Sequence, residues 1–143
     1  MAERGGGLCY VETSALLAAL LEQDASARRA LAAADVRVTS ALTILEARRA
    51  IVRARRSGRL TAAQERAVTR GLETFINRCD LVAITDGVLA RAGRPFPVEP
   101  VRTLDALHLA TLEILGDAPS LVTVLTRDAR VRDNAIAGGF SLA

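Results

Sequence analysis

Short apolar runs, each followed by a longer helical stretch, constrain the fold of this chain most strongly. The runs are continuous or β-branched rather than cleanly alternating, which is typical of strands covered on both faces. The stretches between them are rich in alanine, leucine and arginine, residues that favour helices. Both patterns predict a layered α/β fold around a parallel sheet. The four runs are Leu8–Val11, Val36–Val38, Leu81–Ile84 and Leu121–Leu125, and Phe140–Leu142 is a candidate edge strand.

Helix-capping residues indicate where the helices start and end. Each run is followed within a residue or two by a hydroxyl or carboxylate side chain suited to a helix N-cap. Thr61 and Gln64 have the spacing of a capping box, and residues 93–100, with three prolines, are expected to form a loop. Gly58 and Gly116 are expected to end helices. The candidate caps are Thr13, Thr39 or Ser40, Thr85, and Thr126 or Asp128. Helices are predicted over residues 13–22, 25–34, 40–56, 62–77, 86–93, 103–115 and 129–137.

The length and composition favour one globular domain over residues 1–143. The chain is 50% hydrophobic and 24% charged, so it can bury one sizeable core. No apolar stretch approaches the roughly 18 residues of a membrane span, and no basic leader precedes one. Cys9 and Cys79 are the only cysteines, which excludes a disulfide framework and suits a reducing compartment. We therefore expect a cytoplasmic protein without membrane contact.

All 19 basic residues are arginines, and the absence of lysine excludes several classes of enzyme. A P-loop nucleotide site and a pyridoxal enzyme each need a lysine, and a phospho-acceptor receiver domain normally has one beside its aspartates. The formal charge of +3 and the guanidinium excess favour phosphate as a ligand, although a genomic composition bias would also enrich arginine.

Four acidic residues are the candidates for chemistry. Glu12 and Asp128 follow predicted strands, and open parallel sheets bind ligands beyond the carboxyl ends of their strands. Asp105 lies on a helix that is apolar nearly all round, so its carboxylate points toward protein and needs a counter-ion or a metal. Glu46 lies one and a half turns beyond Ser40, where it can face the same strand ends.

The ligand chemistry of these acids indicates which metal they would bind. Hard oxygen ligands without a cysteine or histidine cluster select Mg²⁺ or Mn²⁺ rather than Zn²⁺. Carboxylate-held ions of this kind activate water and stabilise charge during phosphodiester hydrolysis. From the residues alone, a metal-dependent phosphodiesterase and a structural network of acids paired with arginines are about equally well supported.

Three of these acids also have a purely structural interpretation. Glu46 could form an ion pair with Arg49 at i+3 on a solvated helix face. Asp128 could cap its helix, and Asp105 could be an acid that the helix dipole favours in the first turn. These interpretations stay open at the level of residue patterns.

Three other titratable residues are expected to lie outside the catalytic set. His108, the only histidine, is expected to pack within the helix layer, because a metal-bound water needs no histidine base. Asp133 is at most an outer acid that supports the site. Asp86 follows the third strand and is expected to be a cap.

Four segments surround the candidate acids: Tyr10–Leu16 (YVETSAL), Thr39–Glu46 (TSALTILE), Arg102–Ala110 (RTLDALHLA) and Leu125–Asp128 (LTRD) through Gly139–Phe140. Together they resemble the motifs of PIN-domain ribonucleases, specifically the VapC-type toxins of bacterial toxin-antitoxin modules. The resemblance covers almost the whole chain, in the family's order and at the family's length. It implies a three-layer α/β/α fold with a five-stranded parallel sheet and RNA cleavage dependent on Mg²⁺ or Mn²⁺. By motif position, it implies catalytic and metal-binding roles for Glu12, Glu46, Asp105 and Asp128.

Glu12 departs from the family pattern, which has aspartate at this position. The additional methylene moves the carboxylate by roughly 1.5 Å, whereas Mg²⁺ holds its oxygens at about 2.0 to 2.1 Å. The change could weaken metal binding, require a backbone adjustment, or be accommodated by a bridging water. We expect measurable activity that is reduced relative to an aspartate at position 12.

The resemblance also implies partners. It implies a VapB-like antitoxin that covers the acidic site, a homodimer formed through the helical segments, and contact with DNA only through the antitoxin. Arg49, Arg53 and Arg56 recur on the same side as Glu46 and are candidates for binding RNA phosphates, although a solvated basic face is the simpler interpretation of any one of them. The RNA target is set by surface shape and is not predicted.

Three hypotheses for function follow. The first is a Mg²⁺- or Mn²⁺-dependent endoribonuclease. The second is a binding protein on the same fold, catalytically weak because of Glu12, that acts through antitoxin and DNA. The third is a structural α/β domain whose acids only pair with arginines. Metal-dependent cleavage separates the first two, and saturable divalent-ion binding excludes the third.

Overall fold

The computed structural model describes residues 7–116 and 118–143, and over these ranges five strands alternate with seven α-helices and one 3-10 turn. The strands are β1 Leu8–Val11, β2 Val36–Ser40, β3 Asp80–Val82, β4 Val122–Leu125 and β5 Ser141–Leu142. The helices are α1 Thr13–Leu21, α2 Ala25–Ala33, α3 Ala41–Arg56, α4 Ala62–Asn77, α5 Asp86–Ala92, α6 Thr103–Ile114 and α7 Ala129–Ala137, and the 3-10 turn is Pro119–Leu121.

The five strands form one parallel sheet with the order β3-β2-β1-β4-β5. β1 is central, and Leu8 lies opposite Val36 on one side and Val122 on the other. The chain extends the sheet outward from β1 first in one direction and then in the other. The carboxyl ends of β1, β2 and β4 therefore meet at one edge of the sheet, which is where ligands of such sheets bind.

Successive residues of β1 point to opposite faces of the sheet, and each face is covered by helices. Tyr10 packs with residues of α6 and α7, whereas Cys9 and Val11 pack with residues of α1, α3 and α4. The result is a three-layer α/β/α arrangement, as the resemblance implied. The first core cluster contains Tyr10, Val38, Phe96, Ala106, Leu109, Leu112, Val122, Val124, Val131 and Ala135. The second contains Cys9, Val11, Ala15, Leu16, Ala47, Ile51, Leu72, Phe75 and Leu125.

The predicted helix limits agree with the structure to within one residue at every end. Ser40, Thr85 and Asp128 cap α3, α5 and α7 through hydrogen bonds from backbone N–H groups to their side chains, and the predicted capping box starts α4. Gly58 and Gly116 follow helix ends with φ of 80° and 77°, a backbone conformation that glycine adopts without steric cost.

Three sequence predictions are corrected. The third strand is Asp80–Val82 rather than 81–84, and Leu81 is 46% exposed, because a short edge strand is not covered on both faces. The second strand extends two residues further, to Ser40. The cap of α1 is Glu12 rather than Thr13. Glu12 is the only residue between β1 and α1, and Thr13 is already the first residue of the helix.

None of the helices in the described ranges combines the length and the apolar character that a membrane-spanning helix requires.

Candidate functional site

Glu12 connects the central strand to the helix that follows it. Its backbone N–H donates to Leu125 O of β4 at 2.9 Å, so the ends of two neighbouring strands fix its position. Its carboxylate is buried, and Oε2 accepts hydrogen bonds from Ser14 N at 3.1 Å, from the Ser14 hydroxyl, and from Thr126 Oγ1 at 2.8 Å. One oxygen of Glu12 is thus used to start α1, and the other, Oε1, faces the interior of the site.

Asp128 lies beyond the neighbouring strand β4 and starts α7. Its Oδ1 accepts hydrogen bonds from Arg130 N at 2.8 Å and Val131 N at 3.1 Å. Its own N–H donates to Thr126 Oγ1 at 3.0 Å, and the same hydroxyl donates to Glu12. Thr126 therefore joins the backbone of Asp128 to the side chain of Glu12.

Glu46 reaches the site from the second turn of α3. Its Oε1 accepts hydrogen bonds from Thr13 Oγ1 at 2.7 Å and from His108 Nε2 at 2.8 Å. The Nε2 atom of His108 also lies 3.8 Å from Glu12 Oε1. The imidazole is thus placed between two carboxylates that are 34 residues apart in sequence, counted from 12 to 46.

His108 is 1% exposed and has a hydrogen-bond partner on each ring nitrogen. Nδ1 lies 2.8 Å from the Tyr10 hydroxyl. Burial, followed by the charge of Glu12, raises the pKa of Tyr10, so this phenol keeps its hydrogen and can donate it. Nδ1 pairs with this hydroxyl, and Nε2 is the donor to Glu46, because a carboxylate oxygen only accepts. The expectation that His108 packs within the helix layer is confirmed.

The pKa of Glu46 is set by opposing effects. Burial is the largest and raises the pKa, because it disfavours a charged carboxylate. Hydrogen bonds from His108 and Thr13, together with nearby positive charge that includes Arg53, outweigh burial and lower the pKa below its usual value. Glu46 is therefore held as a carboxylate, the form that can ligate a metal.

Asp105 lies in the first turn of α6 and is joined to Asp128 by a single arginine. Arg102 Nε donates to Asp105 Oδ2, and Arg102 Nη2 donates to Asp128 Oδ2, both at 3.1 Å. The side chain of Asp105 is only 9% exposed, as its apolar helix predicted. Hydrogen bonds through Thr126 and Arg102 thus connect Glu12, Asp128 and Asp105. Glu46 is hydrogen-bonded to His108, whose Nε2 lies 3.8 Å from Glu12 Oε1.

The oxygen donors of the four acids fit Mg²⁺ or Mn²⁺, since both ions prefer carboxylates. One oxygen each of Glu12, Glu46 and Asp105 accepts no hydrogen bond from residues 7–116 and 118–143, so each has an oxygen to offer. As arranged, however, no three acidic, histidine or cysteine side chains of these ranges share a position from which they could hold one cation. The donor set therefore fits a divalent ion, and its use requires the side chains to move inward.

The other candidates lie around this site. Glu46 contacts His108 and not Arg49 in the described ion pairs, so the structural interpretation of Glu46 is wrong. Asp133 is exposed and lies 3.8 Å from Arg132, and Asp86 is the first residue of α5 rather than its cap, which is Thr85. The three arginines of the predicted row are all exposed on α3; they are Arg49, Arg53 and Arg56.

Sequence reasoning missed the roles of Tyr10 and Arg102. An arginine three residues before a buried helical acid is the spacing of an ion pair, and this signal was present at Arg102 and Asp105. Tyr10 carries no comparable signal, because its partner is 98 residues away in sequence.

Comparisons with known proteins agree with the fold and the motifs. The PIN domain profile matches residues 9–137. Ribonuclease VapC46 of Mycobacterium tuberculosis is 36% identical over 132 residues, which is 88% of each chain. Ribonuclease VapC35 of the same species is 34% identical over 136 residues, which is 90% of each chain.

Solved structures share the fold at low sequence identity. A VapBC2 complex of Rickettsia felis bound to a DNA fragment from its promoter superposes with a TM-score of 0.64 at 12% identity, covering 95% of this chain and 97% of that one. A toxin-antitoxin complex from Klebsiella pneumoniae gives a TM-score of 0.63 at 20% identity, covering 94% and 95%. At these identities the likeness supports the arrangement of layers and strands.

Replacing His108 tests the buried hydrogen-bond network. His108→Ala leaves a cavity and removes the partners of Tyr10 and Glu46, so we expect it to lower the free energy of unfolding by about 2 to 4 kcal/mol. His108→Gln keeps an N–H donor near the position of Nε2 and should cost less. Urea unfolding followed by circular dichroism measures both, and equal stability of the alanine variant and the native chain would contradict the network.

Proposed function

The chain belongs to the PIN-domain family and to its VapC ribonucleases, and from that membership we propose that it is an endoribonuclease dependent on Mg²⁺ or Mn²⁺. The observation that carries the proposal is the convergence of four acids from four separate parts of the chain at one edge of the sheet. Hydrogen bonds connect three of them, His108 links Glu46 to within 3.8 Å of Glu12, and three offer an oxygen that the described residues leave unbonded. The acids are Glu12, Glu46, Asp105 and Asp128.

The four carboxylates would hold the metal, which supplies an activated water and neutralises charge at the scissile phosphate. His108 has no free ring nitrogen and is almost fully buried, so its role is to orient Glu46 rather than to move a proton to or from substrate. Thr13 supports the same carboxylate from the start of α1. Hydrolysis of this kind is expected to leave a 5′-phosphate and a 3′-hydroxyl.

Glu12 is compatible with this function. Its longer side chain folds back so that Oε2 caps α1, while Oε1 stays 3.8 Å from the imidazole shared with Glu46. The additional methylene therefore does not turn the carboxylate away from the other acids. The alternative, a catalytically weak binding protein, rests on the change of length alone.

We also propose that a VapB-like antitoxin is the protein partner, as in the toxin-antitoxin complexes that share this fold. A groove of about 630 Å³ lies between α1, α2 and α4. Its floor is apolar and includes Leu16, Leu20 and Phe75, while exposed arginines at its edge include Arg59 and Arg78. An amphipathic helix with acidic residues beside its apolar face matches this surface in shape and charge. The homodimer and the binding of RNA by the arginine row stay predictions.

Cleavage of RNA tests the proposed enzyme. The native chain should cleave total RNA with Mn²⁺ or Mg²⁺ and lose that activity in EDTA. Asp105→Asn should reduce cleavage by more than about 100-fold, since outer-shell partners of metal ligands are alone worth about 10- to 100-fold. Asp86→Asn is the matched control, because Asp86 is also an acid in the first turn of a helix but is exposed and outside the network. Equal loss in both variants, or cleavage that survives EDTA, would contradict the acidic metal site.

Glu12→Asp tests the effect of side-chain length. Aspartate also caps helices, so α1 should be preserved, while a shorter carboxylate restores the family pattern. We expect the variant to cleave RNA faster and to bind Mn²⁺ more tightly than the native chain. Unchanged cleavage and Mn²⁺ affinity would mean that Glu12 and aspartate are equivalent at this position. If the native chain did not cleave RNA and the variant did, the result would favour the catalytically weak binding protein.

Charge reversal at the groove tests the partner. Arg59→Glu combined with Arg78→Glu should release the cognate antitoxin in co-purification, because two attractive contacts become repulsive. RNA cleavage by the isolated variant should be unchanged, since neither residue contacts the acids. Retained antitoxin in the double variant would exclude this groove.

A further inference from the structure

Arg102 occupies a distinctive place in the acidic site. It is the residue immediately before α6, and its side chain makes no capping hydrogen bond to that helix. Instead, one guanidinium binds two carboxylates from different elements, Asp105 on α6 and Asp128 at the start of α7, with both N to O distances at 3.1 Å. The side chain of Arg102 is 64% exposed, so it reaches these acids from the solvent side.

The two carboxylates that Arg102 binds need a positive charge close by. The side chain of Asp105 is 9% exposed and that of Asp128 is 19% exposed, so both are largely withdrawn from water. Leaving such charges uncompensated is strongly unfavourable. In the ion pairs of residues 7–116 and 118–143, Arg102 is the one cation in contact with either acid.

Arg102 and a divalent cation would compete for the same two carboxylates. Arg102 uses Oδ2 of each aspartate, and a cation held by both aspartates would need oxygens of the same two groups. With Arg102 in place, no three acids of the described ranges are arranged to hold one cation. Both positive groups cannot lie between the two carboxylates at once, because like charges at ligand distance repel strongly.

We propose that Arg102 is an internal counter-ion that closes the metal-free site by binding Asp105 and Asp128, and that a divalent cation must displace it in order to bind. This inference rests on the proposed function, which identifies the ion as Mg²⁺ or Mn²⁺. It does not depend on which RNA is cleaved. The high exposure of the side chain gives the displaced guanidinium room to turn into solvent. Arg102 is thus a positioning residue that sets the affinity for the metal.

This contact does not open by loss of a proton from Arg102 near neutral pH. The hydrogen bond and charge of Asp105, followed by the charge and hydrogen bond of Asp128, raise the pKa of Arg102 above its already high usual value. The guanidinium therefore stays charged near neutral pH, and the competition is one of two cations for two acids.

Binding of Mn²⁺ alone, without RNA, tests this competition. Isothermal titration calorimetry on the native chain and on Arg102→Gln should show affinity for Mn²⁺ increased by roughly tenfold or more in the variant, because the metal no longer has to displace a bound cation; tenfold corresponds to about 1.4 kcal/mol. The metal-free variant should melt at a lower temperature than the native chain, and added Mn²⁺ should raise its melting temperature by more.

Two further variants separate the local contact from the loss of charge. Arg48→Gln also removes one positive charge. Arg48 pairs with Glu73 at 3.4 Å on the surface and touches none of the four acids. The Mn²⁺ affinity of this variant should therefore equal that of the native chain. Arg102→Lys keeps the positive charge but lacks the planar guanidinium, whose separate N–H groups bind the two aspartates. Its Mn²⁺ affinity should therefore lie between those of the native chain and Arg102→Gln.

The outcomes distinguish this inference from the proposed function. Tighter Mn²⁺ binding in Arg102→Gln but not in Arg48→Gln supports the counter-ion. Equal Mn²⁺ affinity in the native chain and Arg102→Gln overturns it while leaving the metal-dependent nuclease intact. No Mn²⁺ binding by either protein contradicts the metal site itself, and with it both proposals.

Discussion

Carboxylates gathered at one edge of a parallel sheet repel one another, and the structure of this protein depends on how that repulsion is balanced. Glu12 and Asp128 cap helices, and Asp105 lies in a first helical turn, so three of the four acids face the positive end of a helix dipole. His108 donates to Glu46, and Arg102 bridges the two aspartates. Without these partners, the strand ends could not hold four acids at partly buried positions, because each uncompensated charge would favour unfolding.

The parallel sheet supplies the geometry that this balance requires. Its strands run directly into helices, with a single residue between β1 and α1 and none between β2 and α3, so strand ends and helix N-termini coincide. Because successive residues of β1 point to opposite faces of the sheet, the core is divided into one cluster on each face. Tyr10 points toward α6, and its hydroxyl fixes the imidazole that orients Glu46 on α3, on the other side of the sheet. His108 is therefore held by the strand that immediately precedes Glu12, and core packing and site geometry are not separable.

Local chemistry made most of the fold predictable. Ser40, Thr61, Thr85 and Asp128 marked helix starts because their short polar side chains satisfy backbone N–H groups, and the apolar runs located the buried strands. β3 was misplaced because an edge strand has no need of a continuous apolar run. The convergence of Glu12, Glu46, Asp105 and Asp128 was implied by family resemblance, since apolar periodicity places an acid on a face but not opposite another acid. The contact of Tyr10 with His108 and that of Arg102 with Asp128 depend on tertiary structure and followed from neither.

The proposed divalent-metal site of the four acids opens when Arg102 leaves it. A crystal structure of the native chain grown with Mn²⁺, with anomalous diffraction data, tests this most directly. We expect one or more anomalous peaks at ligand distance from Asp105, Asp128 and at least one of the two glutamates. The Arg102 side chain should no longer bridge the aspartates. Mn²⁺ bound elsewhere, or an aspartate bridge that is intact in crystals saturated with Mn²⁺, would contradict it.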